Sequence, residues 1–248
     1  VQLGAIVGWM STRVLGQYDQ LLIEDDRPEE QDIVYFVGPN ITELERKLGV
    51  DPNQFRLWIA LHETTHRAQF TGVPWMRDHF VGLVDSLVES IDPDPHTLMD
   101  ALSRTVSEIK AGRNPLANHG LVGLVASEQQ RARIDEVQAL MSLLEGHGDW
   151  AMTESARDRI PDADNFAAAL HQRRNQPNPL QKFLMQLLGL EAKMRQYQEG
   201  EAFVRRLDEV GGPELVRSVF DSPERIPNLA EIRSPDTWLE RVAVLSGQ

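Results

Sequence analysis

Leu57-Trp58-Ile59-Ala60-Leu61-His62-Glu63-Thr64-Thr65-His66 sets two histidines four residues apart, with a glutamate directly after the first. On an α-helix, positions i and i+4 stand one above the other on one face, so both imidazoles can reach a single metal ion while Glu63 projects beside it. Two imidazoles and a third protein ligand suit Zn²⁺, which in reactive sites keeps its remaining position for water. The ion lowers the pKa of that water toward neutrality, and a neighbouring glutamate can take its proton and later pass it to a leaving group. The residue types therefore point to metal-assisted hydrolysis, with His62 and His66 as ligands and Glu63 as general base, then acid.

The chemistry needs a helix at this place, and the flanking residues predict one over 52–70. Phe55, Trp58, Ile59 and Leu61 supply apolar positions before the motif, the segment contains no internal Gly or Pro, and Thr71-Gly72-Val73-Pro74 is a stop signal. Asp51-Pro52 is a fitting start, since proline is tolerated in the first helical turn. Arg67 departs from the usual pattern, in which the residue after the second histidine is uncharged in zinc peptidases.

A third ligand must come from elsewhere, and Leu143-Leu144-Glu145-Gly146-His147-Gly148-Asp149-Trp150 is the best source. Ile134, Val137, Met141 and Leu144 follow helical spacing, with Glu145 at the edge of the apolar stripe. Glu145 and Asp149 are again i and i+4. That spacing suits a division in which Glu145 binds zinc and Asp149 accepts a hydrogen bond from the free ring nitrogen of a ligand histidine, fixing its tautomer. Gly146 and Gly148 each cost a helix about 1 kcal/mol relative to Ala, which close approach to the first helix would offset. His147 is the competing ligand, but its two-residue offset turns it to another part of the helix.

Around these segments helical patterns dominate. The spacing predicts helices over 2–15, 76–90, 96–110, 128–150, 163–174, 180–197, 200–210, 213–220 and 236–245. Residues 20–24 and 32–37 read as two strands of a small antiparallel sheet flanking the polar stretch Asp25-Asp26-Arg27-Pro28-Glu29-Glu30. Asn40 with Glu43 predicts a capped short helix through Leu48. Tyr18 and Asp19 read as a tight connection, and residues 111–127 as a loop. His119, His171 and Tyr197 are candidate donors to a tetrahedral oxyanion, each more simply explained as packing or surface. The tryptophans read as packing groups, with Trp58 and Trp150 near the metal helices. The expected class is α+β, predominantly α-helical, with a small antiparallel sheet before the HExxH helix.

The chain resembles the zincin-like metallopeptidases of type 2, a family of zinc-dependent hydrolases of which some relatives are associated with biosynthesis of a deazaflavin coenzyme. The similarity runs through Arg13-Val14-Leu15-Gly16-Gln17-Tyr18-Asp19, Val37-Gly38-Pro39-Asn40-Ile41, residues 57–60 leading into the histidine run, Val73-Pro74-Trp75-Met76-Arg77, the segment 144–149, and Gly189-Leu190-Glu191-Ala192-Lys193-Met194-Arg195-Gln196-Tyr197. The resemblance implies a mostly helical zincin-like core, Zn²⁺ as cofactor and a peptidase or related hydrolase activity. It also implies a single zincin-like domain over 1–248, preceded in relatives by further sequence. Arg195 and Tyr197 would then be scaffold or substrate contacts.

Composition limits the partners. With 41% hydrophobic residues the 248-residue chain can bury a sizeable core. A net charge of -13 opposes a nucleic-acid partner, because phosphate binding needs clustered Lys and Arg. No apolar stretch is long enough to span a membrane, and the first residues lack the charged-then-apolar pattern expected of a signal peptide. The absence of cysteine excludes disulfides and thiolate zinc sites and fits a cytoplasmic location. The expected substrate is a peptide or protein. The alternative is a non-catalytic metal-binding accessory protein in a cofactor biosynthesis pathway, against which the intact Glu63 argues, since a structural zinc site is normally closed by four protein ligands.

Overall fold

A computed structural model describes residues 8, 11–12, 14–18, 32–89, 128–156, 159–161, 163, 165–166 and 190–246, with side chains except at 88, 190–197, 245 and 246. Two short strands, β1 (Gly16–Tyr18) and β2 (Val34–Phe36), are followed by helices α1 (Gly38–Leu48), α2 (Pro52–Gly72), α3 (Met76–Glu89), α4 (Glu128–Ala156) and α5 (Leu190–Ser218). A 3-10 turn (Pro223–Arg225) then leads to α6 (Leu229–Arg233) and α7 (Pro235–Ser246). The chain is thus mostly helical with a small antiparallel sheet, and none of the helices described is long and apolar enough to cross a membrane.

The sheet pairs Gly16 with Phe36, Gln17 with Tyr35 and Tyr18 with Val34. The strand expected within 32–37 is present, but its partner is Gly16–Tyr18, which includes Tyr18 of the Tyr18-Asp19 step expected to be a tight connection. Three residues are too few for an alternation to stand out. The strand expected over 20–24 lies outside the described residues, as do the helix over 96–110 and the loop over 111–127. At the N-terminal end, Gly8 and Ser11 are helical while Val14 and Leu15 are not, so the helix expected through 15 stops earlier.

Asn40 does not cap α1. The helix begins at Gly38 with Pro39 in its first turn, and Asn40 donates instead to the carbonyls of Ser11 (2.8 Å) and Val14 (2.7 Å). Asp51 does cap α2, accepting from the Gln54 backbone N–H at 2.9 Å, with Pro52 directly after it.

Two compact units are distinguished, residues 1–77 with 148–173 and residues 78–147 with 174–248, so that the division falls inside α4. In the first, Phe55, Trp58 and Ile59 of α2 join Ile41 and Leu44 of α1, Met152 and Ala156 of α4, Ile160 and Phe166 in one buried cluster. Phe166 meets Phe55 edge-on at 5.6 Å and Trp58 at 6.3 Å. Met152 and Ala156 explain why α4 continues beyond the expected end at 150: the apolar stripe is not finished there.

In the second unit α4 and α5 cross at glycines. A Cβ on Gly146 would stand 2.2 Å from the Gly200 carbonyl carbon, and one on Gly200 would stand 1.9 Å from the Ser142 carbonyl oxygen. Gly200 therefore lies inside α5, where the sequence suggests the start of a separate helix. The break expected after Val210 falls at Gly212, whose φ of 64° precedes Pro213. Trp238 of α7 is fully buried, packs edge-on against Phe203 and donates to the Arg225 carbonyl at 2.6 Å. An unforeseen capping box opens α6: Asn228 and Glu231 satisfy each other's backbone N–H, and Glu231 also accepts from Arg241.

Candidate metal centre

Helix α2 carries a stripe at Phe55, Trp58, Ile59, Glu63, Gln69 and Phe70, all buried. His62 and His66 continue it, so the packing that fixes the helix also fixes the imidazoles. The Trp58 ring stacks along His62 at 6.4 Å and 16°, and the two histidine rings meet nearly perpendicular, 87° apart.

The nitrogens Nε2 of His62 and Nε2 of His66 converge to 3.3 Å. His66 Nδ1 donates to Oε1 of Gln69 at 3.0 Å, which keeps the proton on Nδ1 and turns the Nε2 lone pair toward His62. Gln69 is buried, 4% exposed, so this orientation is held without competition from solvent. Two imidazole nitrogens at zinc distance in a tetrahedral arrangement stand about 3.3–3.4 Å apart. The pair is spaced as such an ion requires.

On α4, a carboxylate oxygen of Glu145 and one ring nitrogen each of His62 and His66 all lie within 4.8 Å of one another. Among the described residues these three form the group able to hold a metal ion. Two imidazoles and a carboxylate, with no thiolate available, make a donor set that fits Zn²⁺. His147, the competing ligand, packs its ring edge-on against Phe220 at 4.8 Å. Gly148 brings α4 close to α2, since a Cβ there would stand 3.2 Å from Cε1 of His66. The close approach expected of both glycines thus holds for Gly148 against α2, whereas Gly146 serves the crossing with α5.

Glu63 is buried, 7% exposed, and its carboxylate lies over Gly16 of β1. Asp149 is half-buried on α4, where its backbone carbonyl accepts from the Thr153 hydroxyl. Thr64 and Thr65 turn their hydroxyls back to carbonyls of the preceding turn. Arg67 points away from the histidines and donates to the Asp32 carbonyl at 3.0 Å, which accounts for a charged residue at that position. Asp32 also accepts from the Tyr18 hydroxyl at 2.6 Å and pairs with Arg77. Burial first, and then the hydrogen bond to Asp32, push the Tyr18 hydroxyl above its ordinary pKa. His119 and His171 lie outside the described residues, as do the side chains of Arg195 and Tyr197. Gln69 and Gly16 carry no signal of their own in the sequence, although Gln69 stands three residues after His66 on the same helical face.

Residues 1–239 match the model of a family described as zincin-like metallopeptidase. A crystal structure from Chloroflexus aurantiacus, of a protein provisionally assigned as a hydrolase and described as having a novel fold, matches with a TM-score of 0.68. It is 32% identical, and the match covers 98% of this chain and 68% of that one. Among curated proteins there is no match.

Proposed function

The chain belongs to the zincin-like metallopeptidase family, a metal-dependent hydrolase family, and on that premise we propose that it is a zinc peptidase in which His62, His66 and Glu145 hold the ion. The observation that carries the reading is the convergence of these three side chains' ligand atoms within 4.8 Å, with Glu63 buried one residue from His62. Bound there, Zn²⁺ would supply Lewis acidity toward a carbonyl oxygen and lower the pKa of water in its open position. Glu63 takes the proton of the attacking water and returns it to the departing amine. Gln69 holds the His66 tautomer, and Asp149 is the candidate partner for a ring nitrogen of His62. The substrate is a peptide or protein; the net charge of -13 supports neither nucleic acid nor an anionic membrane surface as partner.

The test is metal content by elemental mass spectrometry, joined to cleavage of a fluorogenic peptide library. Wild type should carry near one zinc per chain, and His62→Ala and Glu145→Ala should lose it under equal dialysis. Glu63→Gln should keep its zinc while turnover falls by at least about 100-fold. A Glu63→Gln protein that stays active at full metal occupancy would overturn the mechanism. Unchanged stoichiometry in Glu145→Ala would move the third ligand to His147.

A further inference from the structure

Strand β1 passes directly over the acid–base residue. A Cβ built on Gly16 would stand 2.6 Å from Cγ, 2.7 Å from Cδ and 2.7 Å from Oε1 of Glu63. Real side-chain atoms do not approach so closely, so the space that the Glu63 carboxylate occupies exists because residue 16 has no side chain. What would yield to a methyl group here is the Glu63 side chain from Cγ outward, which can turn about its own torsions, whereas β1 is backbone held by its pairing with β2.

Three observations hold the strand in place. Gly16 and Tyr18 are two residues apart and face the same side of β1, while Glu63 and Phe70, seven apart, share a face of α2. As Gly16 lies against Glu63, so Tyr18 lies against Phe70: the two rings are 5.8 Å apart, and Tyr18 is 3% exposed. The Tyr18 hydroxyl is bonded in turn to Asp32 at 2.6 Å and to Arg77 at 2.8 Å. Asp32 has a φ of 62°, in the left-handed region, and it is held there by Arg67 on its carbonyl and Arg77 on its carboxylate. Tyr18 thus anchors β1 to the last turns of the same helix that carries Glu63 at its middle.

We infer that Gly16 is a positioning residue: strand β1, anchored by Tyr18 to Phe70, Asp32 and Arg77, sets through the missing side chain at position 16 where the Glu63 carboxylate stands. The inference rests on the proposed role of Glu63 as general base only for its catalytic consequence; the placement itself is independent of it.

The test sets Gly16→Ala beside wild type in zinc-loaded crystal structures and in cleavage of the best substrate from the peptide library. The Glu63 carboxylate should be displaced from its place over residue 16, with zinc content unchanged. For a base moved by about 1 Å, kcat should fall on the order of 100-fold while KM stays within about twofold. A carboxylate that stays in place in the Gly16→Ala crystal, or an unchanged kcat, overturns the inference. Activity surviving in Glu63→Gln would instead remove the general-base reading and the catalytic half of this inference, leaving the displacement to be judged by the crystal alone.

Discussion

Gln69 shows how much of the candidate site depends on a residue that performs no chemistry. Its side-chain oxygen accepts from His66 Nδ1 at 3.0 Å, and without it the imidazole could carry its proton on Nε2, the nitrogen that faces His62. Gln69→Leu keeps the bulk and removes the acceptor. Its zinc affinity, measured by competition with a chromophoric chelator, should fall about 10–100-fold, and an affinity equal to wild type would show that the ring is oriented by packing against Gly148 alone. The histidines and Glu63 were legible in the sequence because one helical spacing and one chemistry select them together. Glu145 was legible through its own i+4 relation to Asp149. Gln69 and Gly16 were not, since a hydrogen-bond acceptor three residues along a helix, or a missing side chain on a strand, takes its meaning from a neighbour that only the fold supplies.

The elements separate in the same way. Helices α2 and α3 were legible nearly to their ends because their start and stop residues and apolar spacing agree. What local sequence misplaces is decided by tertiary contact: Gly200 looks like a helix start, yet it sits within α5 because the backbone of α4 passes against it. Tyr18 looks like part of a connection, yet it lies in a strand because Val34–Phe36 pairs with Gly16–Tyr18. The glycines of the helices can therefore be sorted by what a methyl group would meet. Gly200→Ala would drive a Cβ into the Ser142 carbonyl and should destabilise by about 1–3 kcal/mol or more, since backbone on both sides must give. Gly82→Ala in α3 meets nothing within 4 Å and should stabilise by roughly 0.5–1 kcal/mol through a less flexible unfolded chain. Urea unfolding of both variants checks the pair. A Gly200→Ala midpoint at or above wild type would mean that the two helices do not cross as described.

At the scale of the whole molecule, a histidine away from the candidate metal centre is expected to tie stability to pH. His79 of α3 is half-buried, and desolvation depresses its pKa below the ordinary imidazole value, although the charges of Glu136 and Glu224 pull the other way. The folded state thus prefers the neutral ring. As pH falls below the unfolded value of about 6.5, the unfolded chain binds its proton first, so stability is lost through the window down to the lower folded pKa. Above that window His79 contributes no pH dependence. Release of metal from the candidate centre at low pH would add to the acid loss, so the wild-type curve alone cannot assign it. His79→Gln keeps a polar, uncharged side chain at the position, and the difference between the two curves cancels whatever the metal centre contributes to both. That difference should be flat above pH 7 and should grow in favour of the variant as pH falls toward 5, with a slope never exceeding about 1.4 kcal/mol per pH unit for one proton. Unfolding free energies from urea titrations at closely spaced pH values measure it. Parallel curves for the two proteins would place the whole acid sensitivity at other groups.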